Sequence, residues 1–173
     1  MAVGQHQKIL QIVGYQNSGK TTIARQLIAD ATASGLRIGS IKHHGHGGKP
    51  DAPSNKDSTL HEQAGAVVSA VEGGGALRLS IEDNSWELTK ILTLYQNFAL
   101  DFILIEGYKQ APYPKIVLLR SDEDAALLTL SNIHCILYWQ GTTIHQRLNV
   151  PSFSLAEHAQ YQPFLLQEMR NLL

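Results

Sequence analysis

The chain is short of the residues and runs that mark several classes of protein. It has a single cysteine in 173 residues, so no disulfide can form within it. That residue, Cys135, lies in the apolar run "IHCILYW" and reads as a buried reduced thiol, as expected of a cytoplasmic protein. No segment reaches the ~20 consecutive apolar residues of a membrane span. The N-terminal "MAVGQHQK" lacks the apolar core of a signal peptide. A cytoplasmic location with no membrane partner is the expectation. Charge of one sign is not in excess: 14 basic against 15 acidic residues leave a net charge of −1. The basic stripe of a general nucleic-acid binder is therefore missing. Internal repeats, low-complexity tracts and coiled-coil heptads are absent as well. What is present, 43% hydrophobic and 17% charged residues, is too apolar for a disordered chain and enough for a buried core.

Periodicity organises the chain into alternating strands and helices. "KILQIV" (8–13) is an apolar run closed by Gly14, and Ile23, Ala24, Leu27, Ile28 and Ala31 then recur at helical spacing before Gly35. "LRIGSI" (36–41) completes a βαβ unit, the building block of parallel sheets. A loop rich in Gly, Pro, Asp and Asn runs from Lys42 to Ser58, followed by a short helical piece over 59–64. "AVVSAVE" and "ALRLSIE" flank Gly73-Gly74-Gly75 and predict a hairpin over 66–82, with the glycines as its turn rather than a second phosphate loop. Asn84 with Glu87 resembles a capping box ahead of an apolar face of Leu88, Ile91, Leu92, Tyr95 and Phe98. "DFILIEG", "KIVLLR" and "IHCILYW" read as further strands, with a helix starting after Ser121. Ser154 with Glu157 caps a last helical region, which Pro163 is expected to divide in two. The expected fold is α/β: one domain over 1–173, a mainly parallel sheet with helices on both faces, and the hairpin as an insertion.

The first strand–helix joint carries the chemistry. Gly14-Tyr15-Gln16-Asn17-Ser18-Gly19-Lys20-Thr21 fits G-x-x-x-x-G-K-[ST] at every position, between an apolar strand and an amphipathic helix. Successive N–H groups of such a loop turn inward around phosphate, and the helix N-terminus adds positive potential. Gly14 and Gly19 permit the close approach, Lys20 is placed for the β- and γ-phosphates, and the Thr21 hydroxyl for Mg²⁺. The metal also needs an acid at the carboxyl end of a neighbouring strand. Asp101 and Glu106 bracket "FILI", roughly 16 Å apart at ~3.3 Å per residue. Only Glu106 stands at the carboxyl end, so it is the candidate for Mg²⁺ or its waters.

Other features leave alternatives open. His43, His44 and His46 follow the second strand and admit three readings: a transition-metal site, an anion site with Lys42 and Lys49, or a solvated loop. Asp57 is a candidate for orienting water or completing the metal shell, and with Glu106 is one of two possible catalytic acids. Lys109 could meet phosphate or an anionic partner ligand, or lie on plain surface. No N/T-K-x-D motif occurs, since "NKDS" has its aspartate one residue early, so the base is not readable from spacing.

Taken together, "GYQNSGKTT", "IKHHGHGG", "KDS" followed by "AGA", and "ILIEGYK" resemble the MobB family of molybdopterin-guanine dinucleotide biosynthesis adapter proteins, from about Lys8 to Arg120. The resemblance implies that the single domain over 1–173 is a P-loop NTPase, and that the protein is a homodimer that binds GTP with Mg²⁺ and hydrolyses it weakly. Its role would be to assist a MobA-like nucleotidyltransferase that attaches GMP to molybdopterin. It also implies that Gln16, Asn17, Ser18, Gly19, Lys20, Thr21 and Thr22 hold the phosphates and that Thr21 and Glu106 hold magnesium. Lys42, His43, His44 and Lys109 match family motifs and are candidates for contact with the pterin or the partner. Slow hydrolysis agrees with the lack of an arginine finger, a device worth ~10³–10⁵ in rate. Two rivals share the loop: a metal-delivery GTPase carrying cargo on the histidines, and a small-molecule kinase, which commonly needs an arginine-rich lid that this chain lacks.

Overall fold

The computed structural model describes residues 8–45 and 57–171. These fall into two compact units, one formed by residues 8–45 and 94–171, the other by 57–93. The first holds β1 (Lys8–Val13), α1 (Lys20–Ala33), β2 (Ile38–Lys42), β5 (Phe102–Glu106), β6 (Lys115–Leu119), β7 (Ile133–Tyr138), β8 (Ser152–Ser154) and α4 (His158–Asn171). The second holds α2 (Asp57–Gln63), β3 (Val68–Gly73) and β4 (Ala76–Ile81), and α3 (Leu88–Tyr95) spans the boundary.

The six strands of the first unit form one sheet in the order β2-β5-β1-β6-β7-β8, every neighbouring pair parallel. Alternation explains how both faces are covered. Leu10, Ile12, Phe102, Leu104, Ile116, Leu118, Cys135 and Leu137 point to one side and meet Ile23, Leu27 and Ala31 of α1 and Tyr161, Leu165 and Met169 of α4. Their neighbours Val13, Val117, Leu119 and Ile136 point to the other, where Leu127 and Ile144 close a second core. A strand buried on both faces reads as an unbroken apolar run, which is why "FILI" and "IVLL" stood out in the sequence. The chain leaves β1 for β2 on one side and reaches β6 on the other. The crevice at the carboxyl end of β1 is thus the switch point where ligands of such sheets bind.

In the second unit, β3 and β4 pair antiparallel with Gly73 opposite Ala76, leaving Gly74 and Gly75 as a two-residue turn at φ +58° and +78°. Positive φ at both central positions is what a type I′ hairpin turn requires. The expected hairpin is therefore present, and the expected short helix appears as α2.

Three local expectations differ. The segment after Ser121 is a 3₁₀ helix over Asp122–Thr129, although Ser121 does cap it by accepting from the Glu123 N–H at 3.3 Å. Asp122 is held by the Thr143 and Ile144 backbone and the Thr143 hydroxyl, contacts that a regular helical start would have to compete with. Pro163 lies inside the continuous α4 rather than between two pieces. It removes one backbone donor near the helix start, and the buried face of Tyr161, Leu165 and Met169 carries the helix past it. Before α3 it is Asp83, not Asn84, that accepts from the backbone and hydroxyl of Ser85.

Candidate functional site

The loop between β1 and α1 takes its shape from three special positions. Asn17 (φ +59°) and Gly19 (φ +99°) adopt positive φ, and Gly14 lies against the strand beside it. A Cβ on Gly14 would come within 2.5 Å of Ser18 Oγ and 3.0 Å of the Leu118 carbonyl oxygen. Only a hydrogen fits there. Ser18 is fully buried with its hydroxyl unpartnered, while Gln16 and Asn17 are exposed at the rim.

Charge converges on this loop from distant parts of the first unit. Lys20 Nζ donates to the Tyr15 carbonyl at 2.7 Å, which folds the lysine back over its own loop. Burial lowers the Lys20 pKa from its ordinary 10.5; the Glu106 carboxylate raises it, while Lys109, Lys42 and Arg120 lower it further. Arg120 donates to the Gln16 carbonyl at 3.0 Å and is itself braced by Asp124 at 2.9 Å. The Lys109 ammonium lies 4.5 Å from the centre of the Tyr15 ring, in cation–π range. Four cations, Lys20, Lys42, Lys109 and Arg120, thus make the surroundings of this loop electropositive.

Glu106 is the negative counterpart. It ends β5, is 9% exposed, and accepts from the Thr21 hydroxyl at 2.9 and 3.1 Å. Lys42 at the end of β2 donates to Thr21 Oγ1 at 3.2 Å and pairs with Glu106 at 3.3 Å. A hydroxyl and a carboxylate side by side are hard oxygen donors of the kind Mg²⁺ takes beside phosphate and water. The site residues fit that ion, with Thr21 and Glu106 as the groups that would hold it.

The bend after β5 is built with strain. Gly107 (φ +102°) and Tyr108 (φ +49°) are consecutive positive-φ residues. Gln11, fully buried in β1, clamps both carbonyls through Nε2 at 3.0 and 2.8 Å. The bend thereby aims Lys109 at the loop. His43 packs its ring 4.3 Å from that of Tyr108, and its N–H donates to the Glu106 carbonyl at 2.9 Å. His44 is exposed, and Thr22 borders the cavity beside α1. His46 and Lys49 lie outside the described residues, as does the side chain of Asp57, whose backbone opens α2 in the second unit. Among the described residues no group of three His, Cys, Asp or Glu side chains converges on a metal position.

The structure thus brings together Gly14, Lys20, Thr21, Lys42, Lys109 and Glu106. Sequence reasoning missed Gln11, Arg120 and Trp139. Trp139 donates its indole N–H to the Ser18 carbonyl at 3.0 Å from the far end of β7. No motif marks these three; a hydrophilic Gln inside "KILQIV" was the one available sign.

Comparison with known proteins identifies the family and agrees with the fold. The family described as Molybdopterin guanine dinucleotide synthesis protein B matches residues 9–138. The "Probable molybdopterin-guanine dinucleotide biosynthesis adapter protein" of Bacillus subtilis (strain 168) is 42% identical over 154 residues, covering 88% of each chain. The crystal structure of Bacillus subtilis MobB superposes with a TM-score of 0.82 at 39% identity, covering 96% of this chain and 98% of that one. A MobB homolog from Bacillus stearothermophilus gives 0.78 at 39% identity, covering 95% and 99%. On this family match and these relatives, the chain belongs to the MobB family.

Proposed function

We propose that the chain is a GTP-binding adapter of molybdenum cofactor biosynthesis, assisting a MobA-like enzyme that attaches GMP to molybdopterin. The carrying observation is the Thr21–Glu106 pair at 2.9 Å inside a ring of four cations, which suits a nucleoside triphosphate with its Mg²⁺. Bound magnesium supplies charge that neutralises the terminal phosphate oxygens. Lys20 would exchange its bond to the Tyr15 carbonyl for the same oxygens, and Arg120 fixes the loop through the Gln16 carbonyl. Hydrolysis is slow, because Arg120 is engaged by Asp124 and Gln16 rather than free to meet a leaving phosphate. The nucleotide is held more than cut, and Lys42, His43, His44 and Lys109 form the surface that meets the pterin or the partner enzyme.

The second unit supports a homodimer. Register puts Val68, Ala70, Glu72, Leu77, Leu79 and Ile81 on one face of the hairpin, apolar but for Glu72, where Val68, Leu77 and Leu79 are exposed. The other face carries Ser69, whose hydroxyl donates to Glu62 of α2 at 2.8 Å. A bare two-stranded ribbon is marginal in water, and an apolar face with strand edges invites a second copy. Removing residues 66–82 should yield a monomer by sedimentation; a persisting dimer would rule the hairpin out.

The adapter reading is tested by reconstitution. Adding the chain with Mg·GTP to a MobA-like enzyme and molybdopterin should raise the yield of the dinucleotide, and Thr21→Ala should not. Rapid GTP turnover by the isolated chain, or equal stimulation by Thr21→Ala, would overturn it.

A further inference from the structure

A cavity of about 550 Å³ opens beside the phosphate loop, lined by Ser18, Gly19 and Thr22 on one side and by residues that follow β7 and β8 on the other. Its size falls within the ~300–1,000 Å³ of small-molecule sites. Strand order gives it a direction. Glu106 ends β5 on one flank of β1, whereas Trp139 and Gln140 follow β7 and Leu155 and Ala156 follow β8 on the opposite flank. A triphosphate whose terminal oxygens lie with Lys20, Thr21 and Glu106 therefore sends its other end toward the cavity.

We propose that this cavity is the nucleoside subsite and that Trp139 and Gln140 are its base-contacting residues; the proposal rests on the reading of the loop as a nucleotide site. The walls suit a base, which is apolar on its faces and polar at its edge. Ile23, Leu155 and Tyr161 supply apolar surface, while Gln140 and His158 supply polar groups. Gln26 lines the same cavity with its Oε1 buried and without a partner, so its amide has a bond still to make. Trp139 is the distinctive element. Its side chain stands 47% exposed, an unusual place for an indole, yet its N–H is tied to the Ser18 carbonyl of the phosphate loop at 3.0 Å. That bond holds a rigid aromatic surface at a fixed offset from the phosphates, the arrangement a stacked base needs. Base choice thus arises from residues far along the chain, which explains why no short guanine-recognition motif occurs in it.

The test separates nucleoside from phosphate. In full-length protein carrying Trp86→Phe, Trp139 is the single tryptophan, and its emission is followed with Mg·GTP, Mg·ATP and magnesium tripolyphosphate, with affinities taken by calorimetry. The nucleotides should shift the emission and the tripolyphosphate should bind without that shift. Ala156→Phe, an exposed position whose new ring fills the cavity, should weaken nucleotide binding about tenfold or more while leaving tripolyphosphate affinity unchanged. If tripolyphosphate produces the same shift, or Ala156→Phe weakens both ligands alike or neither, the subsite is wrong while the phosphate loop stands. If wild-type protein binds neither ligand, the nucleotide reading itself falls and takes the subsite with it.

Discussion

Replacing Glu106 by glutamine removes one charge and keeps the shape, so its effects can be apportioned from the contacts. In the wild type the Thr21 hydroxyl donates to both carboxylate oxygens, at 2.9 and 3.1 Å. A hydrogen bond to a charged group contributes about 1.5–3 kcal/mol net and a neutral one about 0.5–1.5, so the change costs about 1 kcal/mol at this bond. The Lys42 pair at 3.3 Å adds little, because the Lys42 side chain is 59% exposed and such pairs contribute ~1 kcal/mol at most. A loss of about 1–2 kcal/mol lowers the melting temperature by about 2–8 °C for a chain of this length. The ligand effect is of another kind. Without Mg²⁺ the variant should bind GTP as well as the wild type or more tightly, since a negative charge beside the phosphates has gone. The increment that Mg²⁺ adds should shrink about tenfold or more, equivalent to 1.4 kcal/mol or above. Calorimetry with and without Mg²⁺ on both proteins gives the four affinities required. Should Glu106→Gln keep the full wild-type Mg²⁺ increment, the carboxylate is not part of the metal's environment and the reasoning fails.

Other consequences can be measured independently. Lys20→Met should stabilise the unliganded protein at neutral pH, because burial and three neighbouring cations hold the Lys20 pKa below 10.5 and the folded chain bears the cost of the charged form. That cost is present below the folded pKa and fades as pH rises through it toward 10.5, so the urea-midpoint advantage of the variant should vanish in alkali; a constant difference would contradict it. Gly107→Ala places a Cβ 2.9 Å from His43 Cβ at φ +102° and should destabilise by about 1–3 kcal/mol in thermal melts, with GTP affinity falling as Lys109 is displaced. Cys135, 1% exposed and with its thiol pushed up to about 12 by burial, should resist Ellman's reagent in the native protein and react only on unfolding.

How much of this was legible in the sequence depends on how local each feature is. The G-x-x-x-x-G-K-[ST] loop is a contiguous string, and its place between a strand and a helix could be read directly. Glu106 lies 85 residues from Thr21, yet the rule that ligands gather at the carboxyl ends of parallel strands selected it over Asp101. Asp101 instead accepts the Arg37 N–H at the opposite end of the strand, at 2.7 Å. No such rule reaches Arg120 or Trp139, which contact the loop across 104 and 121 residues through backbone carbonyls that any residue could offer. Gln11 shows the same limit: a polar residue in a buried strand signals a buried hydrogen bond without naming its partner. Pro163 was misread because a breaker inside a helix is tolerated where a buried face spans it, and burial is not written in local order.

The central claim, that the loop holds a guanine nucleotide with its metal, is tested most directly by calorimetric titration of the full chain with GTP, ATP and GDP, each with and without Mg²⁺. The account predicts saturable binding of GTP in preference to ATP, tightened by Mg²⁺, and weaker binding of GDP. Equal binding of GTP and ATP, or indifference to Mg²⁺, would contradict it.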